Sequence, residues 1–231
     1  MRRFRVTFAK GEAVRYISHL DLMRTWERIL RRARLKLAHT QGFNPRPRLV
    51  FAAPLPVGVT SEAEILDVVV EDELPAAEFQ GRVGPALAPG VEVLSVEEIA
   101  LEAPPVMARV ESSDYTVQVG GEADLAAAVA RFLARESVPY ERTRKGAVKQ
   151  ADMRPAVLDL WAAGDGTLGM RLRLDVEGAA VRPEEVVAAL DGGLAVRRVH
   201  RTGLRLKDAP GSHTTPSAAA AAEAIKAPHA A

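Results

Sequence analysis

The sequence has no cysteine, few aromatic residues (5%), five histidines in 231 positions and no run of about 18 apolar residues. Each shortage excludes a class of chemistry. Without Cys there is no disulfide, thiol nucleophile, thiolate-held iron–sulfur cluster or Cys-based zinc site. His19, His39, His200, His213 and His229 form no HxxxH or HxH pair, so neither a metal nor a cofactor is expected. With no long apolar run, no membrane-crossing helix is expected. The basic start Met1-Arg2-Arg3-Phe4-Arg5 leads into an alternating segment and not an apolar core, unlike a signal peptide. These features lead us to expect a cytoplasmic chain with no membrane partner.

What is present is charge, 31 Lys or Arg against 30 Asp or Glu, arranged in opposed blocks. Residues 1–48 hold thirteen basic residues and three acids, Glu12, Asp21 and Glu27. Residues 49–102 hold Arg82 alone against eleven acids. Such a split predicts a basic face for an anionic partner, opposed by an acidic strand-and-helix stretch.

Periodicity predicts one unit, βαββαβ, occurring twice. Phe4 to Phe8 alternates as a strand, and Ser18 caps a helix whose stripe is Leu22, Met23, Trp26, Ile29, Leu30 and Ala33. Strands follow at roughly residues 48–53 and 64–70, then a helix through Phe79, Val83 and Leu87, then a strand from Val91 to Ile99. In the second unit Tyr115 to Val119 is a strand and Leu125 to Leu133 a helical stripe. Gly164-Asp165-Gly166 joins a hairpin, Pro183 opens a short helix, and Ala195 to Leu206 is the last strand. The expected fold is α+β: two tandem ferredoxin-like domains with antiparallel sheets, over residues 1–103 and 112–207. Glu102-Ala103-Pro104-Pro105 is the expected linker, and the Ala/Pro-rich residues 208–231 are expected to be a disordered tail.

In each unit the longest irregular, polar segment falls between the first helix and the second strand. These are His39 to Arg48, and Glu141 to Pro155. Both combine glycine with several cations at the same topological place, a composition suited to phosphate contact and base stacking. Candidate RNA or polyanion contacts are Arg15, Arg24, Arg28, Arg31, Gln41, Phe43, Asn44, Arg46, Arg48, Arg144, Lys145, Lys149, Asp152 and Arg154. The plainer alternatives are a solvated basic surface, a simple turn at Lys145-Gly146, and a local Asp152–Arg154 ion pair. His19 is the one candidate general acid or base, against a plain helix-start histidine. Asp21 reads as a first-turn charge and Trp26 and Trp161 as core. Glu62, Glu64 and Asp67 read as a solvated strand edge.

Four segments carry a family resemblance: Tyr16-Ile17-Ser18-His19-Leu20-Asp21-Leu22-Met23-Arg24, Thr40-Gln41-Gly42-Phe43-Asn44-Pro45-Arg46-Pro47, Pro54-Leu55-Pro56-Val57-Gly58 and Ser61-Glu62-Ala63-Glu64. Together with Lys145-Gly146 and Asp152-Met153-Arg154-Pro155 they resemble the radical-SAM-associated domain of unknown function, over residues 1–207. That resemblance implies a radical-SAM partner, in a setting of ribonuclease and ribosomal functions. A chain without Cys cannot ligate the radical-SAM cluster, so it would assist another protein. At fold level the tandem reading is also similar to the CRISPR repeat-processing RAMP endoribonucleases, whose glycine-rich loop Gly192-Gly193 and Gly203 do not match.

The leading expectation is therefore a non-catalytic RNA-binding or substrate-recognition accessory protein, with RNA and a radical-SAM protein as partners. The alternatives are a docking module for that partner without RNA, and a metal-independent endoribonuclease using His19.

Overall fold

The computed structural model describes residues 1–144, 147–174, 180–190 and 193–207, with side chains at 142–144, 147 and 149 outside the description. The expected tail, 208–231, lies outside the described residues, as do Lys145 and Gly146. The fold is mixed α+β, with a large mixed sheet and five α-helices among the described residues.

The first half runs β1 (Arg2–Lys10), α1 (His19–Arg32), β2 (Leu49–Phe51), β3 (Val59–Val70), α2 (Ala76–Val83) and β4 (Val91–Ile99). After the four-residue α3 (Val106–Arg109), the second half runs β5 (Val110–Gly120), α4 (Leu125–Leu133), β6 (Pro139–Arg144), β7 (Ala147–Asp152), β8 (Val157–Gly164), β9 (Thr167–Arg173), α5 (Pro183–Leu190) and β10 (Ala195–Leu206). Ser18 starts α1 as the sequence predicts, its hydroxyl accepting from the Asp21 amide at 3.2 Å. Asp165 and Gly166, both at positive φ, make the two-residue turn between β8 and β9.

The expectation of separate antiparallel sheets is corrected. Eight strands form one sheet in the order β4-β1-β3-β10-β5-β9-β8, with β2 also on β3, while β6 and β7 make a separate two-stranded sheet. Within each half all pairings are antiparallel, but β3 and β10 join the halves in parallel, Val199, His200 and Arg201 facing Val59, Thr60 and Ser61. At twelve residues, β3 is long enough for both partners: β10 takes its start and β2 pairs with Leu66 to Val68. Because β2 and β8 both run antiparallel to β3, both begin at the end of the sheet where β3 and β10 finish.

Cross-strand partners share a face, so pairing places Lys10, Ser61, Arg201, Tyr115, Met170 and Leu160 in one row on one side. Phe4, Val6 and Phe8 precede Lys10 in the same phase and pack with Trp26, Ile29, Leu30, Phe79 and Val83. Tyr115, Met170 and Leu160 pack with Ala128, Phe132, Val186 and Val187. Both helix pairs therefore cover the same face, and the row crosses the seam between two cores.

Three further expectations are corrected. Segment 141–155 is not an irregular loop, because β6 and β7 pair through it as a hairpin, Pro139 opposite Asp152. Trp161 is 36% exposed and not core, because it sits opposite Gly169, where an added Cβ would meet its ring. Glu64 and Asp67 do not border a solvated edge: β3 is central, and both carboxylates are buried.

Asp67 explains part of the charge split. It accepts from Arg3 at 2.7 Å and from Arg5 at 2.8 Å, while Arg3 also donates to the carbonyls of Leu101, Ala103 and Pro104, pinning the segment between the halves. Arg2 pairs with Glu73 and Glu98. Arg2, Arg3 and Arg5 of β1 are thus matched by carboxylates of β3, β4 and the turn after β3. Replacing Asp67 by Ala leaves two cations inside without their carboxylate, at an expected loss of about 3–5 kcal/mol of unfolding free energy in urea. Glu78→Ala, at an exposed i,i+4 pair with Arg82, is expected to cost no more than about 0.5 kcal/mol. Equal losses in the two variants would contradict this assignment.

Candidate functional site

Two places gather chemistry: an exposed basic surface at the loop end of the sheet, and a buried polar seam between the halves.

The surface is built from α1 and the segment after it. Burial of Leu22, Trp26, Ile29 and Leu30 turns Arg24, Arg28 and Arg31 to solvent. Arg24 pairs with Asp21 at 3.1 Å, whose carboxyl is held below its ordinary range by the Ser18 hydroxyl and then by Arg24. Arg28 and Arg31 have no side-chain partner among the described residues. Beyond α1 the chain makes a narrow-necked loop. The Thr40 amide donates to the Arg46 carbonyl at 2.8 Å, the Arg46 amide donates to the Thr40 hydroxyl at 3.0 Å, and His39 bridges Pro47. Gln41, Phe43 and Asn44 form the tip, where Gly42 takes a φ of 126°, and the Phe43 side chain is fully exposed. The side chains of Arg46 and Arg48 are exposed and without a partner among the described residues.

The other candidates separate from this group. Arg15 is committed to the fold: its Nε donates to the Gly58 carbonyl at 2.7 Å, while its guanidinium lies over Tyr16. Asp152 accepts from the amides of Val138 and Arg154, at 2.8 and 2.9 Å, closing the β6–β7 hairpin at its base. These amides hold its carboxyl below the ordinary range. The Arg154 guanidinium donates to the Val157 carbonyl at 3.0 Å. Arg144 and Lys149 have backbone in β6 and β7, but their side chains lie outside the described residues, as does all of Lys145. The hairpin enters the sheet at the same end as loop 39–48.

The seam is the part that reading the sequence missed. Arg201, 1% exposed, donates to Glu64 at 2.9 Å, to the Tyr115 hydroxyl at 3.0 Å and to the Pro54 carbonyl at 3.3 Å. Burial works against its charge, but Glu64 and Tyr115 outweigh that and raise its pKa. Lys10, equally buried, donates to the carbonyls of Arg15 at 3.0 Å and Val59 at 3.2 Å. Its pKa is lowered by burial, with Glu64 opposing and Arg201 adding to the effect. An extra residue in β3 opposite the step from Phe8 to Lys10 lets Ser61 and Glu64 face the same side. The signal was available: Lys10 and Arg201 each occupy the core phase of an alternating strand, where a charge requires a partner.

His19 borders the seam. Its ring lies edge-on to Phe51 at 5.2 Å, and its Nδ1 is buried with no hydrogen-bond partner among the described residues. Beside the seam, where β2 and β10 diverge from β3, lies a crevice of about 420 Å³ lined by Ala53, Pro54, Tyr115, Leu174, Val181 and Arg201 among others. Among the described residues no group of acids and histidines forms a metal cluster, and no helix is long and apolar enough to cross a membrane.

A family model described as an uncharacterized protein conserved in bacteria, DUF2344, matches residues 3–191. No curated protein matches the sequence.

Burial holds the His19 imidazole below its ordinary value of 6.5, with Glu64 opposing. The unfolded ring therefore takes up its proton at higher pH than the folded one. The resulting stability is present above pH 6.5 and is lost as the pH falls through that value towards the folded pKa. Urea unfolding from pH 7.5 to 5 is expected to show a shallower pH dependence in His19→Gln than in the parent. Identical slopes would contradict the burial argument.

Proposed function

Since the chain belongs to the DUF2344 family of uncharacterized bacterial proteins, we propose a function from its own surface: a non-catalytic RNA-binding accessory protein that serves a radical-SAM partner in RNA processing or modification. The observation that carries this reading is the tip of loop 39–48. A fully exposed Phe43 ring in the same short loop as Arg46 and Arg48, whose exposed guanidinium groups have no partner among the described residues, offers a stacking platform together with phosphate contacts. Arg28 and Arg31 extend the cationic surface along α1. Hairpin 139–152 enters from the same end of the sheet, which supports one extended RNA path. The strand order, β4-β1-β3-β2 in one half and β10-β5-β9-β8 in the other, supports a finer reading as two ferredoxin-like units fused edge to edge.

The partner reading rests on the resemblance carried by Tyr16–Arg24 and Thr40–Pro47, and on the missing cysteines. A chain that supplies no thiolate leaves the cluster chemistry to its partner. The rival reading, docking through the acidic stretch 62–102 without RNA, is weakened by internal pairing: Glu64, Asp67, Glu73, Glu78 and Glu98 all meet cations of this chain.

Binding of fluorescent single-stranded RNA, followed by anisotropy across a salt series, tests the reading. Contact with about four phosphates predicts a log-affinity against log-salt slope near −3. Phe43→Ala is expected to weaken binding by about 1–3 kcal/mol if one base stacks there. The double variant Arg46→Glu, Arg48→Glu is expected to abolish binding and leave the melting temperature unchanged. Salt-independent binding, or RNA affinity untouched by all these substitutions, would overturn the proposal.

A further inference from the structure

We propose that the crevice between the halves is a binding site for a small organic monoanion, a carboxylate carried on an apolar body. This site is separate from the RNA surface and does not depend on that reading. Its size falls in the range of small-molecule pockets, roughly 300–1,000 Å³. Its walls are apolar, with Ala53, Pro54, Val110, Leu174 and Val181 around the space and polar groups at Arg201 and Tyr115. Apolar walls with a few convergent polar groups are what orients a small ligand.

The charge count of the seam specifies the sign. Lys10 and Arg201 are both buried, and among the described residues Glu64 is the one carboxylate that acts on both. One positive charge is left over in a place where unpaired charge is costly. The Arg201 guanidinium uses its two terminal nitrogens on Glu64, Tyr115 and Pro54, while its Nε is buried with no acceptor among the described residues. Arg182, also on the crevice wall, is exposed, so water screens its charge and it stays outside the buried count while offering a contact at the rim. A single carboxylate balances the excess of one. A phosphate monoester, at about −1.5 to −2 near neutral pH, would overshoot it inside apolar walls.

Calorimetric titration of the full chain provides the test, with hexanoate, decanoate, benzoate and indole-3-acetate, each beside its uncharged alcohol, and with decyl phosphate. At least one acid is expected to bind one-to-one and about tenfold or more tighter than its alcohol, as a charge-assisted contact requires. Ala108→Trp changes an exposed residue of the crevice wall. It is expected to abolish acid binding without lowering the melting temperature, and Arg182→Gln to weaken it severalfold. The proposal is overturned if no acid binds, if alcohols bind as tightly, if decyl phosphate is preferred to decanoate, or if Ala108→Trp binds like the parent. RNA affinity measured on the same Ala108→Trp protein keeps this outcome distinct from that of the surface.

Discussion

Three residue pairs hold this molecule together as one sheet. Val199, His200 and Arg201 lie beside Val59, Thr60 and Ser61, and this short parallel ladder is the only pairing between the two halves among the described residues. Three pairs are few, and parallel pairing is the weaker kind. The joint is reinforced by side chains. On the helix-covered face Arg201 reaches from β10 to Glu64 of β3, and on the other face the Thr60 hydroxyl meets the His200 ring at 2.8 Å. Val59 and Leu55 of the first half are also buried in the core of the second. From this joint follow the common direction of β2 and β8, the shared end of the two basic connections, and the crevice where β2 and β10 diverge.

Charge at the joint acts through position more than through raw attraction. A buried ion pair adds little net stability over a well-packed apolar pair, yet it penalises every arrangement that leaves one member alone. Slipping β10 by one residue would turn Arg201 to the opposite face and strand both it and Glu64. The same logic applies on the other face, where Asp67 collects Arg3 and Arg5, and Asp114 collects Arg171 and Arg205. The opposed charge blocks of the sequence thus have two origins. Basic β1 answers buried or neighbouring carboxylates of β3 and β4, whereas Arg28 and Arg31 of α1 and Arg46 and Arg48 of loop 39–48 are exposed and have no side-chain partner among the described residues.

Local periodicity carried much of the fold. Alternation located β1, β4 and β10 to within a few residues, the Ser18 cap marked the start of α1, and Asp165-Gly166 marked a hairpin. What escaped was non-local. No pattern in Val59–Ser61 announces a partner on β10 some 140 residues away. The β6–β7 hairpin lacks an apolar alternation, since Glu141, Arg142, Thr143 and Arg144 are all polar, so it reads as loop. Trp161 follows the composition rule for core residues, but Gly169 opposite leaves a groove for its ring on the sheet's other face. The exposed candidate surface was legible because loop residues need no partner to be noticed. The seam was not, because Lys10, Glu64 and Arg201 acquire meaning only when three strands come together.

The two tryptophans fall one in each half, Trp26 in the first core and Trp161 on the second half's strand β8. Urea unfolding of the single-tryptophan proteins Trp161→Phe and Trp26→Phe, each followed by fluorescence and by far-ultraviolet circular dichroism, therefore asks directly whether the joint makes one cooperative unit. If the joint makes the halves cooperative, the two signals change together in a single transition in each protein. Separate transitions, with one half melting while the other stays folded, would contradict that cooperativity.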